Sequence, residues 1–267
     1  MDIAKNIVTD LKKIREISPL VHNITNYVVM NTTANALLSL GASPVMAHAI
    51  DEVADMVNIS QALVINIGTL STHWIEAMKR AIDAAAKKGI PWILDPVGAG
   101  ATSFRTKTIL DLIDKNPPAI IRGNASEIMS VIKASGETKG VDSSHSSESA
   151  IDAARELSHA TGSVISVSGT VDIIIRGEEI ARVKNGHALM PKVTGLGCTA
   201  SALTGAFAAV NPQLFWASCH AMAVMGIAGE IAAQKAEGPG TFQVYFLDTL
   251  HQLNESDVTQ LLRVEIT

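Results

Sequence analysis

Ile3, Ile7, Leu11 and Ile14 recur at spacings of three and four with lysines and acids between them, so residues 2 to about 17 are predicted to form an amphipathic helix, ended by Pro19. Leu20-Val21-His22 reads as a short strand, and Asn23, Thr25 and Asn26 offer caps to a helix running to about Leu40, where Gly41 stops it. The same polar threshold is a candidate lining for a small-molecule pocket, although caps and turn bonds account for each residue taken alone. A strand and loop at 43–48 and a short helix at 51–58 follow.

From there the rhythm is regular. A near-continuous apolar run at 62–68 ends in Gly68, and a helix follows at 71–88 with Gly89 as its cap. The run 91–95 is a strand leading through the Gly98-Ala99-Gly100 turn to a helix ending near Lys115, and 119–122 is a strand followed by a helix over 124–135. Strands alternating with long helices imply βαβ units and a parallel sheet. Residues 136–149, rich in serine and glycine with no apolar period, read as a surface loop and a candidate flap. A helix at 150–159 leads to a strand at 164–168. Two further strands, 171–176 and 179–184, have no helix between them, which predicts an antiparallel edge. Next come a glycine turn at 194–198, a helix beginning at about Gly197 or Cys198, and a long apolar helix over 214–236.

Composition narrows the choice. Aromatic residues make up only 4% of the 267-residue chain while aliphatic ones abound, which suits strands buried on both faces by helices. The expectation is one α/β domain over residues 1–267, three-layered, with a mostly parallel sheet. A net charge of -5 and basic residues scattered singly or in short pairs such as Lys12-Lys13 and Lys87-Lys88 give no footprint for nucleic acid. Met1-Asp2-Ile3-Ala4-Lys5 lacks a basic start followed by an apolar run, so no secretory leader is expected, and the nearest approach to a membrane span, 221–233, is short and carries Glu230. Two distant cysteines, Cys198 and Cys219, make neither a disulfide framework nor a zinc cluster, so the expected compartment is the cytoplasm and no membrane partner is expected.

The chemistry gathers at strand ends, where open parallel sheets bind ligands. Gly195 and Gly197 permit a tight turn into a helix whose first N–H groups are free to hold an anion, though the same glycines also suit an ordinary strand-to-helix connection. Asp95 and Glu127 are hard oxygen donors suited to Mg²⁺, and Arg122 is a planar cation for phosphate oxygens. Each has a plainer reading: Asp95 before Pro96 as a turn residue, Glu127 as the partner of Asn124 in a capping box, Arg122 as half of a surface pair. Their joint placement favours phosphoryl transfer, whose catalysis is mostly positioning and charge neutralisation.

Four segments, Val21-His22-Asn23-Ile24-Thr25-Asn26-Tyr27-Val28, Ile93-Leu94-Asp95-Pro96-Val97-Gly98-Ala99-Gly100, Arg122-Gly123-Asn124-Ala125-Ser126-Glu127 and Gly195-Leu196-Gly197-Cys198, together resemble the hydroxyethylthiazole kinases of the ribokinase-like superfamily. The resemblance implies ATP-dependent phosphorylation of the primary alcohol of 4-methyl-5-(2-hydroxyethyl)thiazole in thiamine salvage, with Mg²⁺ and a homotrimer whose active sites lie between subunits. It implies thiazole contacts at Met46 and Gly195, with Asn26 and Gly68 as further candidates. It implies ATP contacts at Arg122 and Ser168, with Asn124 and Gly197 beside them, and places Asp95 and Glu127 on the metal side.

The resemblance also puts Cys198 where the wider superfamily usually carries an aspartate base. A helix N-terminus is expected to lower its thiol pKa and nearby ATP charge to raise it, leaving Cys198 either to accept the substrate proton or to orient the hydroxyl. Cys219 reads as core. The alternatives are another ribokinase-like activity, on a hydroxymethylpyrimidine or a hydrated nicotinamide cofactor, or a non-catalytic nucleotide or thiazole sensor. A dinucleotide-dependent oxidoreductase is disfavoured because no glycine-rich turn follows the first strand.

Overall fold

The computed structural model describes residues 2–136 and 147–267. Asp2 caps α1 (Ile3–Ile17) through its side chain, and Ser18, in the left-handed region, ends it before Pro19. The order then runs β1 (Leu20–Ile24), α2 (Met30–Leu40), β2 (Ser43–Val45), α3 (Val53–Ile59), β3 (Ala62–Asn66), α4 (Thr72–Lys88), β4 (Trp92–Asp95), α5 (Ser103–Lys115), β5 (Ile120–Asn124), α6 (Ala125–Ser135), α7 (Ser147–Thr161) and β6 (Val164–Ser168). After these come β7 (Asp172–Arg176), β8 (Glu179–Val183), a 3-10 turn (Met190–Lys192), α8 (Leu196–Val210), α9 (Leu214–Lys235), α10 (Pro239–Gln252), α11 (Glu255–Leu261) and β9 (Val264–Ile266).

The nine strands among the described residues form one sheet in the order β2-β1-β3-β4-β5-β6-β7-β8-β9. The first six are parallel, and β6 to β9 pair antiparallel, so the predicted antiparallel edge is present and one strand wider than expected. Because successive side chains point to opposite faces, Val64 and Ile93 join one apolar core while Leu63, Ile65 and Leu94 join the other. Helices α1, α2 and α8 to α11 pack on the first face and α3 to α7 on the second, completing three layers.

Helix α8 lies directly on the sheet. A side chain at Gly205 would come within 2.6 Å of Val64, so the glycine sets how closely the helix approaches β1 and β3. Helix α9 is long and apolar enough to cross a membrane by length and composition, but 78% of that window is buried against the rest of the protein, and Cys219 lies within it, as expected of core.

Two local expectations are corrected. Helix α2 starts at Met30 behind Val29, which makes no side-chain cap, and Asn23, Thr25 and Asn26 are buried instead of serving as caps. Helix α7 begins at Ser147, three residues inside the expected loop; residues 137–146 of that candidate flap lie outside the described residues.

Candidate active site

The parallel strands all end on one rim, and α8 starts there. Gly195 adopts φ 88° immediately before Leu196, and a side chain on it would meet Val29 at 2.7 Å, so both backbone and packing demand glycine. The first intrahelical bond runs from Thr199 N to Gly195 O (2.8 Å). The amides of Leu196, Gly197 and Cys198 therefore precede the helical ladder at the positive end of its dipole. Beneath them Arg122, 8% exposed, donates through Nη1 to the Gly197 carbonyl (2.8 Å), and a side chain at Gly197 would press on that nitrogen at 3.2 Å. A buried guanidinium therefore stands beside the start of α8.

Beside the turn a polar chain crosses three strand ends. Asn26 Nδ2 donates to Asn66 Oδ1 (2.8 Å) and lies 3.5 Å from Cys198 Sγ, while Asn66 Nδ2 donates to Asp95 Oδ2 (2.7 Å). Ser201, one turn into α8, donates its hydroxyl to the same Asp95 oxygen (2.7 Å). Oδ2 thus takes both bonds, and among the described residues Oδ1 takes none. Gly68 donates its amide to Asn66 Oδ1 (2.9 Å), and a side chain there would strike the Asn26 amide at 2.7 Å.

Burial raises the Asp95 carboxyl to about 6, with Glu127 adding to the rise; Arg122 and the bonds from Ser201 and Asn66 only partly offset it. The same burial, with the Asp95 charge, pushes the Cys198 thiol up to about 11 despite bonds from the two asparagines and the Arg122 charge. Of the two opposing effects expected at Cys198, burial and the Asp95 charge act in the direction that favours the neutral thiol.

Glu127 spans two segments of the rim. Its Oε1 accepts from Gly98 N and its Oε2 from Asn124 N, both at 2.9 Å, while Asn124 Oδ1 accepts from Glu127 N (2.9 Å). The capping box is therefore present, and the carboxylate also pins the turn after β4. Ser168 sits in register opposite Asn124, its hydroxyl directed at the Gly123 carbonyl (3.4 Å). Met46 directly follows the end of β2, the edge strand beside β1; its carbonyl faces His48 Nδ1 (3.2 Å), and His48 stands edge-on to Tyr27 with ring centroids 6.4 Å apart.

The structure thus gathers Asn26, Gly68, Asp95, Arg122, Gly195, Gly197 and Cys198 into one cluster, sets Asn124, Glu127 and Ser168 along its β5–β6 side, and leaves Met46 at the far flank. Sequence reasoning missed Asn66 and Ser201, the two residues that hold Asp95. Their signal was an amide ending an apolar strand and a hydroxyl inside a small-residue helix, and neither stands out until the strands are aligned.

A mostly parallel sheet between two helical layers, with a glycine-led helix start, a buried arginine and two acids along one rim, is the architecture of a ribokinase-like phosphotransferase. A pyridoxal kinase from Staphylococcus aureus, solved with AMP-PCP and pyridoxal, shares this fold with a TM-score of 0.65 at 14% identity, covering 93% of this chain and 98% of that one. The hydroxyethylthiazole kinase family profile matches residues 11–256. The chain is 57% identical over 263 residues to hydroxyethylthiazole kinase of Leptospira biflexa serovar Patoc, covering 98% of both, and superposes on the hydroxyethylthiazole kinase of Pyrococcus horikoshii OT3 with a TM-score of 0.92 at 42% identity, covering 98% and 99%. The chain belongs to the hydroxyethylthiazole kinase family, enzymes that phosphorylate an alcohol.

Proposed function

We propose that residues 1–267 act as one kinase domain that moves the terminal phosphoryl group of ATP to the primary hydroxyl of 4-methyl-5-(2-hydroxyethyl)thiazole, a salvage step towards thiamine. Beyond family membership, the observation that carries this reading is the buried Arg122 under the free amides of Leu196, Gly197 and Cys198, beside Asp95 and its supports. In the proposed roles, the glycine turn and Arg122 neutralise the transferring phosphoryl group, with Ser168 and Asn124 along the nucleotide side. Asn26, Met46, Gly68 and Gly195 border the thiazole.

The donor set suits Mg²⁺. Asp95 Oδ1 is free of protein bonds, Glu127 lies close enough to raise Asp95, and no three His, Cys, Asp or Glu side chains converge among the described residues. Magnesium bound this way, by one or two carboxylates with water and phosphate oxygens filling the other positions, is usual and would supply charge neutralisation. Cys198, a neutral thiol donated to by Asn26, orients the hydroxyl and leaves the proton with the phosphoryl oxygens or solvent, as a loose transition state permits.

Tyr27 and Val28, each 65% exposed directly after Asn26, support a subunit contact at the mouth of the site and hence the homotrimer with shared active sites. The ATP requirement supports a cytoplasmic enzyme. The test is ADP release with ATP, Mg²⁺ and the thiazole alcohol, run beside hydroxymethylpyrimidine and a hydrated nicotinamide cofactor. Turnover confined to the thiazole alcohol is expected. ATP binding without ADP from any acceptor would favour a sensor, and preference for another acceptor would overturn the substrate assignment.

A further inference from the structure

Arg105, third residue of α5, is oddly placed for a cation. The start of a helix favours negative charge, α5 has no acid in its first turn, and none of the salt bridges among the described residues involves Arg105. Among the described residues, its side-chain hydrogen bonds go to main-chain carbonyls of two other segments. Nη1 donates to Ile67 O (2.8 Å) and Val97 O (2.9 Å), and Nη2 donates to Gly68 O (2.7 Å).

Those carbonyls belong to the residues that leave β3 and β4. Ile67 follows Asn66, and Val97 stands two residues after Asp95. The next residue, Gly98, gives its amide to Glu127 Oε1 (2.9 Å), and a side chain on it would meet Arg105 Cδ at 3.3 Å. On the same turn of α5, Thr106 Oγ1 accepts from Gly100 N (3.1 Å), so the β4–α5 turn is held from both ends. A planar guanidinium can serve three carbonyls in one fixed geometry; an ammonium on a flexible stem cannot hold the same fork.

We propose that Arg105 is a positioning residue for phosphoryl transfer: its guanidinium joins the ends of β3 and β4 and so sets Asn66, Asp95 and Glu127 relative to one another. It touches neither substrate nor metal in this role. The proposal rests on the functional reading above.

The experiment compares wild type, Arg105→Lys and Arg105→Ala for kcat, KM for the thiazole alcohol, half-saturating Mg²⁺ and Tm. For Arg105→Ala, kcat is expected to fall about 10- to 100-fold, the scale of a small misplacement of reacting groups, with half-saturating Mg²⁺ raised several-fold and the alcohol KM within about twofold. Millimolar guanidinium chloride should restore part of the lost kcat, which a merely loosened fold would not show. Arg105→Lys should show the same kcat and Mg²⁺ shifts more weakly, and it carries the test if the alanine variant does not fold. Folded variants with wild-type kcat and Mg²⁺ response would overturn the proposal, as would losses that track Tm and ignore guanidinium. Wild type inactive on the alcohol would instead refute the functional reading; active wild type with unaffected variants would refute this proposal alone.

Discussion

Replacing Asp95 by Asn separates what the site needs from what the fold prefers. Asp95 is buried, and its carboxyl is raised from 3.8 to about 6 chiefly because ionising it there costs solvation. An acid that ionises less readily when folded destabilises the fold as pH rises from its unfolded to its folded pKa, and the full penalty stands above the latter. A rise of that size corresponds to about 3 kcal/mol above pH 6, shrinking to roughly 1 kcal/mol at pH 4.5. Asparagine fits the pocket: its oxygen can take the Oδ2 place and accept from Ser201 and Asn66, while its amide occupies the Oδ1 place, where no protein bond is lost. In EDTA at pH 7.5, Asp95→Asn should therefore melt higher than wild type by on the order of 5–10 °C, with a smaller gain at pH 4.5. Turnover should fall by about 10²- to 10³-fold, as when a group aimed at transition-state charge is removed. Thermal denaturation at the two pH values, beside the ADP-release assay, checks all three statements. A variant no more stable than wild type at pH 7.5, or a gain independent of pH, would refute the electrostatic account.

Other expectations are simpler. Cys198→Ala should keep kcat within about tenfold of wild type, because a thiol at about 11 is almost wholly protonated at neutral pH; a loss of ~10²-fold or more in steady-state turnover would restore it as a base. Asn66→Ala removes one of the two donors to Asp95 and the partner of Asn26, and should lower kcat more than it raises the alcohol KM, read from the same kinetics. Gly195→Ala must adopt φ 88° and press on Val29; a loss of about 2–3 kcal/mol, seen as a Tm drop by scanning calorimetry, is expected together with weakened ATP binding.

Much of this architecture was legible because strands buried on both faces read as continuous apolar runs and their helices carry clear stops: Gly41, Gly89 and Gly136 each end a helix in the left-handed region, as written. The elements missed were quieter. Val264–Ile266 is only a three-residue strand, half-buried to exposed, and α10 opens on Pro239 set between Gly238 and Gly240. Asn23 and Asn26 looked like caps because local chemistry allows that use; tertiary burial decided otherwise. The place of Cys198 at a helix start is visible in the sequence, but its burial and the charge of Asp95 beside it are not, since only the assembled sheet brings those groups together.

The chain of bonds from Asn26 through Asn66 and Asp95 to Ser201 also says when activity can appear. Its members come from the first, third and fourth strands and from a helix more than a hundred positions further along, so no fragment ending before α8 can assemble it. In refolding, turnover should therefore not return before α8 has docked onto the sheet.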